Sequence, residues 1–308
     1  MASKNWTSKD IPSQQGKNII VTGANSGLGL EASTVLARKG ANIIMAVRNV
    51  DKGKEAAKNI KTRQPDAKLD LMLLDLSDLQ SIHRFSDEFH SKYSQLHILI
   101  NNAGVMAPAN RLSTKQHFEV QFGANHLGHF ALTGLLLDII KKTPNSRVVL
   151  QSSNAHSESF MKPDIHFDDL NWEKSYNRYQ AYAQAKLSNL LFAYELDRRF
   201  KSNNISAIAT AAHPGWTRTN LQKSFGFLVF NILNYIVGQN IHTGILPILR
   251  AATEENIFGG EYFGPTGLNG LRGYPKLIKS SDKSYDEELA RKLWDVSEKL
   301  TEVRYNFR

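Results

Sequence analysis

Tyr182 and Lys186 lie one helical turn apart in "AYAQAKLSNLLFAYEL" (residues 181–196), an otherwise apolar, helix-like stretch. A tyrosine hydroxyl ordinarily titrates near pKa 10 and is a poor base at neutral pH; an ammonium group beside it favours the tyrosinate and lowers that value. Such a pair could exchange a proton with an oxygen on a bound molecule. The spacing alone is weak, because ten tyrosines in a chain where lysine is common give roughly one i, i+4 match by chance. A second stretch with chemical potential is "VTGANSGLG" (21–29). There Gly23, Gly27 and Gly29 let backbone N–H groups approach a pyrophosphate, with Asn25, Ser26 and Leu28 between them. The spacing is G-x-x-x-G-x-G rather than G-x-G-x-x-G, and no Gly-Lys-Ser/Thr follows, which removes the Walker reading.

These residues need elements to position them. "KNIIVTG" (17–23), "ANIIMAVR" (41–48), "LDLMLLDL" (69–76), "LHILINNAG" (96–104), "SRVVLQSS" (146–153) and "ISAIATAAHPG" (205–215) read as short apolar strands buried on both faces. Amphipathic stretches at 28–39, 52–62, 79–93, 114–141 and 179–200 alternate with them. Alternation of this kind predicts right-handed βαβ units and an α/β fold: a single-domain, Rossmann-type doubly wound parallel sheet with helices on both faces. No composition shift divides the chain, so one domain is expected over 1–308, with a polar N-terminal extension at 1–16. Leu289, Leu293, Val296 and Leu300 predict an outer C-terminal helix. The polar, aromatic stretch 154–179 and the stretch 216–243 fit no repeating unit and are expected as loops on the substrate side.

Within that frame Thr22-Gly23-x-x-x-Gly27-x-Gly29, at the first βα turn, resembles the cofactor motif of the short-chain dehydrogenase/reductase family. The resemblance runs over about residues 16–270 and implies a nicotinamide dinucleotide. Arg48 ends the second strand, where an acidic residue would meet the ribose 2′-OH of NAD and an arginine the 2′-phosphate of NADP. NADP is therefore favoured over NAD, although Asp51 lies close by. The family's further elements fall in order. Asp75 and Leu76 stand where an Asp-Leu/Val pair contacts adenine, and Asn102, Ala103 and Gly104 complete "NNAG" (101–104). Pro214, Gly215 and Thr217 of "HPGWTRTN" (213–220) would border the nicotinamide, with Thr219 as the motif's final threonine. The resemblance implies that Ser153 polarises the substrate oxygen, Tyr182 passes the proton, Lys186 binds the nicotinamide ribose and tunes Tyr182, and Asn125 supports a water relay behind Lys186. Ser152 competes with Ser153, the second of the pair being the family's reactive serine. His213 reads as a satisfied strand-end histidine.

The stretch between Ser153 and Tyr182 is longer than is usual in the family. Together with "VMAP", "SSNAH" and "DDLNW" it makes the chain similar to the retinol-dehydrogenase and protochlorophyllide-reductase-like subgroup. The chain has no cysteine, which excludes disulfides, thiolate metal sites and a cysteine nucleophile; no metal site is expected. The formal charge of +9 comes from scattered lysines and arginines without a block of like charge, so nucleic acid is not an expected partner. No apolar run reaches the roughly 20 residues of a membrane span, and no secretory signal opens the chain, so a cytoplasmic protein is expected. "FGFLVFNILNYIVG" (225–238) could cover an apolar ligand or pack in a core or oligomer contact. The expected function is NADP-dependent hydride transfer between a carbonyl and an alcohol on a lipophilic small molecule. C=C reduction and a non-catalytic NADP-sensing module stay open, and a homo-oligomer follows only from the family resemblance. A serine hydrolase lacks its Gly-x-Ser-x-Gly elbow.

Overall fold

The structure is a computed structural model that describes residues 5–157, 160–217 and 238–308. Eight strands form one sheet in the order β3-β2-β1-β4-β5-β6-β7-β8. They are β1 (Asn18–Thr22), β2 (Asn42–Val47), β3 (Lys68–Leu73), β4 (Ile98–Asn101), β5 (Arg147–Gln151), β6 (Ile208–Ala212), β7 (Tyr262–Gly267) and β8 (Arg272–Ile278). Neighbours from β3 through β7 pair in parallel, and β8 returns antiparallel on β7. The order reverses between β1 and β4, so a crevice opens beyond their C-terminal ends, where doubly wound sheets take ligands.

The apolar strands fill two cores in alternation, as the period of two requires. Ile20, Ile44, Leu99 and Val148 point to one face. They meet α3 (Leu79–Lys92), α5 (Gly128–Leu135) and α7 (Arg178–Ser202) through Phe85, Phe130 and Leu190. Ile19, Val21, Ile43 and Ile100 point to the other. They meet α1 (Gly27–Arg38), α2 (Val50–Arg63) and the helix Leu246–Thr253 through Leu36, Ile60 and Leu249.

The helix expected over 114–141 is broken into α4 (Val120–Phe122), a π turn, α5 and α6 (Leu137–Lys142). Residues 113–119 fold back through a bridge between Ser113 and Glu119. A short helix, Val120–Phe122, then starts on the Glu119 carboxylate, which accepts from Gln121 N (3.0 Å) and Phe122 N (2.9 Å). A π turn, Gly123–Leu127, carries Asn125 before α5 begins at Gly128; such one-turn insertions frequently mark functional sites. A Cβ at Gly128 would sit 2.5 Å from the Leu76 carbonyl oxygen, so this glycine permits the helix to cross the β3 loop closely.

β7 and β8 escape a reading by apolar run, because "YFGPTG" and "RGYPKLI" carry glycine and proline. Proline is tolerated here: Pro275 faces Pro265 on the outermost strand pair, past the two residues of β7 that pair with β6. The C-terminal helix Glu287–Thr301 forms as expected. Its buried stripe is centred on Leu293, Trp294 and Ser297, with Val296 only half-buried. Among the described residues no helix is long and apolar enough to cross a membrane.

Candidate active site

At the end of β1 the chain turns through Gly23 (φ +70°) and Gly27 (φ +55°), a left-handed backbone that glycine adopts without strain. Gly29 is constrained by space: a Cβ there would lie 2.4 Å from Gly23 O and 2.7 Å from Asn102 Nδ2. Ser26 is the N-cap of α1, yet its side chain makes no cap bond. The first-turn N–H groups of a twelve-residue helix thus face the crevice without a side-chain acceptor, a geometry that suits a phosphate. The crevice encloses about 650 Å³ between Gly23, Asn25, Ser26, Gly27 and Leu28 on one side and Asn102, Ala103 and Gly104 on the other. These features fit a dinucleotide.

Arg48, exposed just past β2, lines the same crevice with Asn49 and Lys52. Asn49 Oδ1 caps α2 by accepting from Lys52 N at 2.9 Å, which places Lys52 in the helix's first turn beside Arg48. Asp51 is not among the lining residues and faces Lys54 at 3.5 Å. Asp75 and Leu76 line the same crevice close to Arg48, because Leu74 N donates to Val47 O at 2.9 Å where β3 leaves β2. They follow β3 rather than end it, and Asp75 Oδ1 caps the turn by accepting from Ser77 N (2.9 Å) and Ser77 Oγ (2.6 Å).

Past β4 the backbone is held by side chains. Thr22 Oγ1 accepts from Asn102 N and Ala103 N, each at 2.9 Å, and Asn102 Nδ2 donates to Thr22 O at 2.9 Å. Asn125, fully buried, accepts from Val105 N through Oδ1 (2.7 Å) and donates to Val105 O through Nδ2 (2.9 Å). The Asn125 side chain is thereby occupied.

Asn177 Oδ1 accepts from Tyr179 N (3.1 Å) and Gln180 N (3.2 Å), starting α7 so that Tyr182 and Lys186 fall in its second and third turns. The Tyr182 hydroxyl shares a hydrogen bond with Ser153, which pulls its pKa down, but burial dominates and pushes it up to about 12. Burial pushes the Lys186 ammonium down to about 8. Lys186 Nζ donates to Gln151 O at 3.1 Å and stands 5.6 Å from the centre of the Tyr182 ring. Ser152 points away, donating to Lys186 O at 2.9 Å, while Ser153 Oγ accepts from Ala155 N at 3.3 Å. The structure therefore brings Ser153, Tyr182 and Lys186 together and gives Ser152 a packing contact.

Next to this group lies a pocket of about 130 Å³ walled by Met106, Phe160, Met161, Trp216 and Leu271. Pro214, Gly215 and Thr217 form its edge. Gly215 has φ +63°, and a Cβ there would meet Leu271 O at 2.5 Å; Thr217 Oγ1 donates to Pro214 O at 2.7 Å. His213 is buried at the strand end, accepts from Gly215 N at 3.3 Å and is pushed down by burial to about 3, as a structural histidine would be. Thr219 and most of the apolar stretch 225–238 lie outside the described residues. Lys52 and Leu271 carry no signal of a site in the sequence: only the fold brings Leu271, from the β7–β8 turn, into the pocket that Tyr182 lines.

The match to the family described as short chain dehydrogenase spans residues 17–162. With the relatives below, it shows that the chain belongs to the short-chain dehydrogenase family, NAD(P)-dependent oxidoreductases of alcohol and carbonyl groups. Retinol dehydrogenase 13 of Homo sapiens is 38% identical over 295 residues, covering 92% of this chain and 84% of that protein. Short-chain dehydrogenase TIC 32 B, chloroplastic, of Brassica napus is 36% identical over 292 residues, covering 92% and 88%. Among solved structures, an uncharacterized protein from Mycobacterium paratuberculosis matches with a TM-score of 0.81 and 38% identity, over 98% of this chain and 100% of that one. A short chain dehydrogenase from Shigella flexneri complexed with NADP shares the fold, with a TM-score of 0.65 and 20% identity over 82% of this chain and 98% of that one.

Proposed function

We propose that this protein reduces a carbonyl group on a lipophilic small molecule with NADPH, and runs the reverse oxidation when the alcohol is in excess. The observation that carries this reading is the Ser153–Tyr182 pair at the junction of an apolar pocket and a dinucleotide crevice whose far end bears Arg48 and Lys52. When bound, the reduced nicotinamide supplies the hydride for the substrate's carbonyl carbon. Charge then grows on the substrate oxygen, and donors placed there lower the barrier.

Tyr182, held protonated at neutral pH by its burial, donates its proton to that oxygen, and the Ser153 hydroxyl orients it. Lys186 keeps a positive charge beside the phenolate that Tyr182 leaves, and Gln151 O fixes the ammonium. A proton from solvent restores the phenol. Gly23, Asn25, Ser26, Gly27, Leu28 and Gly29 hold the pyrophosphate, Asp75 and Leu76 the adenine side, and Asn102, Ala103 and Gly104 the floor. Pro214, Gly215 and Thr217 flank the nicotinamide. Arg48 and Lys52 hold the 2′-phosphate, which carries more charge than a ribose hydroxyl can offer them. The apolar walls favour a substrate whose body is hydrocarbon. The test is a panel of aldehydes, ketones and quinones of rising chain length, followed at the nicotinamide absorbance with NADPH and NADH in parallel. Oxidation of NADPH that rises with chain length supports the reading; binding of NADPH with no turnover across the panel contradicts it.

A further inference from the structure

Residues 102–105 form part of the crevice wall, and Gly104 also borders the apolar pocket. They lie beyond the end of β4. Their backbone is fixed by the two side-chain clamps already described, Thr22 on Asn102 and Ala103, and Asn125 on Val105. The clamps belong to different elements, the end of β1 and the π turn. His129, fully buried on α5, spans them: its Nε2 is 3.0 Å from Thr22 Oγ1 and its Nδ1 is 3.0 Å from Asn125 O.

The hydrogens can be assigned by counting. A threonine hydroxyl has one hydrogen and two lone pairs. Two backbone N–H groups occupy the Thr22 lone pairs, so its contact with the imidazole uses the hydrogen, and Nε2 accepts. The competing acceptor, Ile100 O, is farther away at 3.3 Å. A carbonyl oxygen only accepts, so Nδ1 carries the imidazole proton toward Asn125. Burial lowers the pKa of His129 to about 4 against the pull of its bond to Asn125 O, and the Lys186 charge adds to the lowering. The ring is neutral at physiological pH.

We infer that His129, fixed as the Nδ1–H tautomer, is a positioning residue that sets the distance between the Thr22 and Asn125 clamps and so holds residues 102–105 beneath the reacting end of the site. Displacement of Asn125 would be felt at once: a Cβ at Gly104 would lie 3.1 Å from Asn125 Oδ1 and 3.8 Å from Lys186 Nζ. The effect on turnover rests on the carbonyl-reductase reading above, whereas the tautomer does not.

Two variants and one spectrum test it. The amide of His129→Gln keeps an N–H donor group and an oxygen acceptor; His129→Leu keeps neither. His129→Gln is expected to hold kcat within about threefold of the native protein, and His129→Leu to lose about tenfold or more in kcat with little change in substrate KM, the size of one or two neutral hydrogen bonds. Native kcat in His129→Leu, or an equal loss in both variants, overturns the inference. Independently of any substrate, long-range ¹H–¹⁵N spectra of the native protein, with His129 assigned from its absence in His129→Gln, should show Nδ1 protonated and Nε2 bare at both neutral pH and mildly acidic pH. An Nε2–H tautomer, or an imidazolium under mildly acidic conditions, overturns it even where His129→Leu fails to fold.

Discussion

Burial acts on Tyr182 and Lys186 in opposite directions, raising the phenol to about 12 and lowering the ammonium to about 8. The sequence suggests that Lys186 lowers Tyr182. In the structure the ammonium is held on Gln151 O, 5.6 Å from the ring centre, and desolvation of the phenol, opposed by the Ser153 hydrogen bond, sets the direction. The site is thus set as a proton donor at neutral pH. Carbonyl reduction should fall as pH rises through about 8, because Lys186 then loses the charge that stabilises the departing phenolate. A kcat/KM profile flat to about pH 9.5 would remove that charge from the mechanism. At the other end of the crevice, Arg48→Glu should weaken NADPH by about tenfold or more while changing NADH little, as loss of a charge-assisted contact predicts. Equal losses, measured by titration of both dinucleotides, would sink the 2′-phosphate assignment. Arg48 is legible in the sequence because it directly follows the apolar run of a strand. Lys52 is not, since only the Asn49 cap and the first turn of α2 bring it back beside Arg48.

Among the elements, the parallel strands are legible because burial on both faces makes them continuous apolar runs; Ile19 and Ile20, adjacent in sequence, enter opposite cores. The break at residues 113–128 is not, because periodicity persists through a π turn while the backbone does not. β7 and β8 are hidden by Pro265, Gly267, Gly273 and Pro275; the two prolines are tolerated because they lie past the residues of β7 that pair with β6. The phosphate loop is where sequence and geometry bind most tightly. Gly29→Ala should cost about 1–3 kcal/mol of stability through the clash with Gly23 O and should weaken NADPH and NADH alike. An unchanged melting temperature together with unchanged dinucleotide affinity would contradict the crowding at that position.

For the molecule as a whole, four histidines, His126, His129, His156 and His213, are buried among the described residues. Burial lowers His126 to about 3, His129 to about 4 and His213 to about 3, and lowers His156 as well. Below the ordinary histidine pKa the unfolded chain takes up protons that the folded chain refuses, so stability falls as pH drops from about 6.5 toward 5, at about 1.4 kcal/mol per pH unit for each of His126, His129 and His213, with His156 acting in the same direction. Denaturant midpoints should therefore decrease steadily between neutral pH and pH 5, and a constant midpoint would contradict the neutral, buried assignment. The fold, the crevice and the apolar pocket converge on one phenol. The most direct measurement is turnover of Tyr182→Phe on the best carbonyl of the panel, with NADPH affinity measured on the same preparation. Loss of the proton donor should lower kcat by roughly 10²–10⁴-fold with NADPH affinity within a few-fold of native; native turnover in Tyr182→Phe would contradict the role of Tyr182.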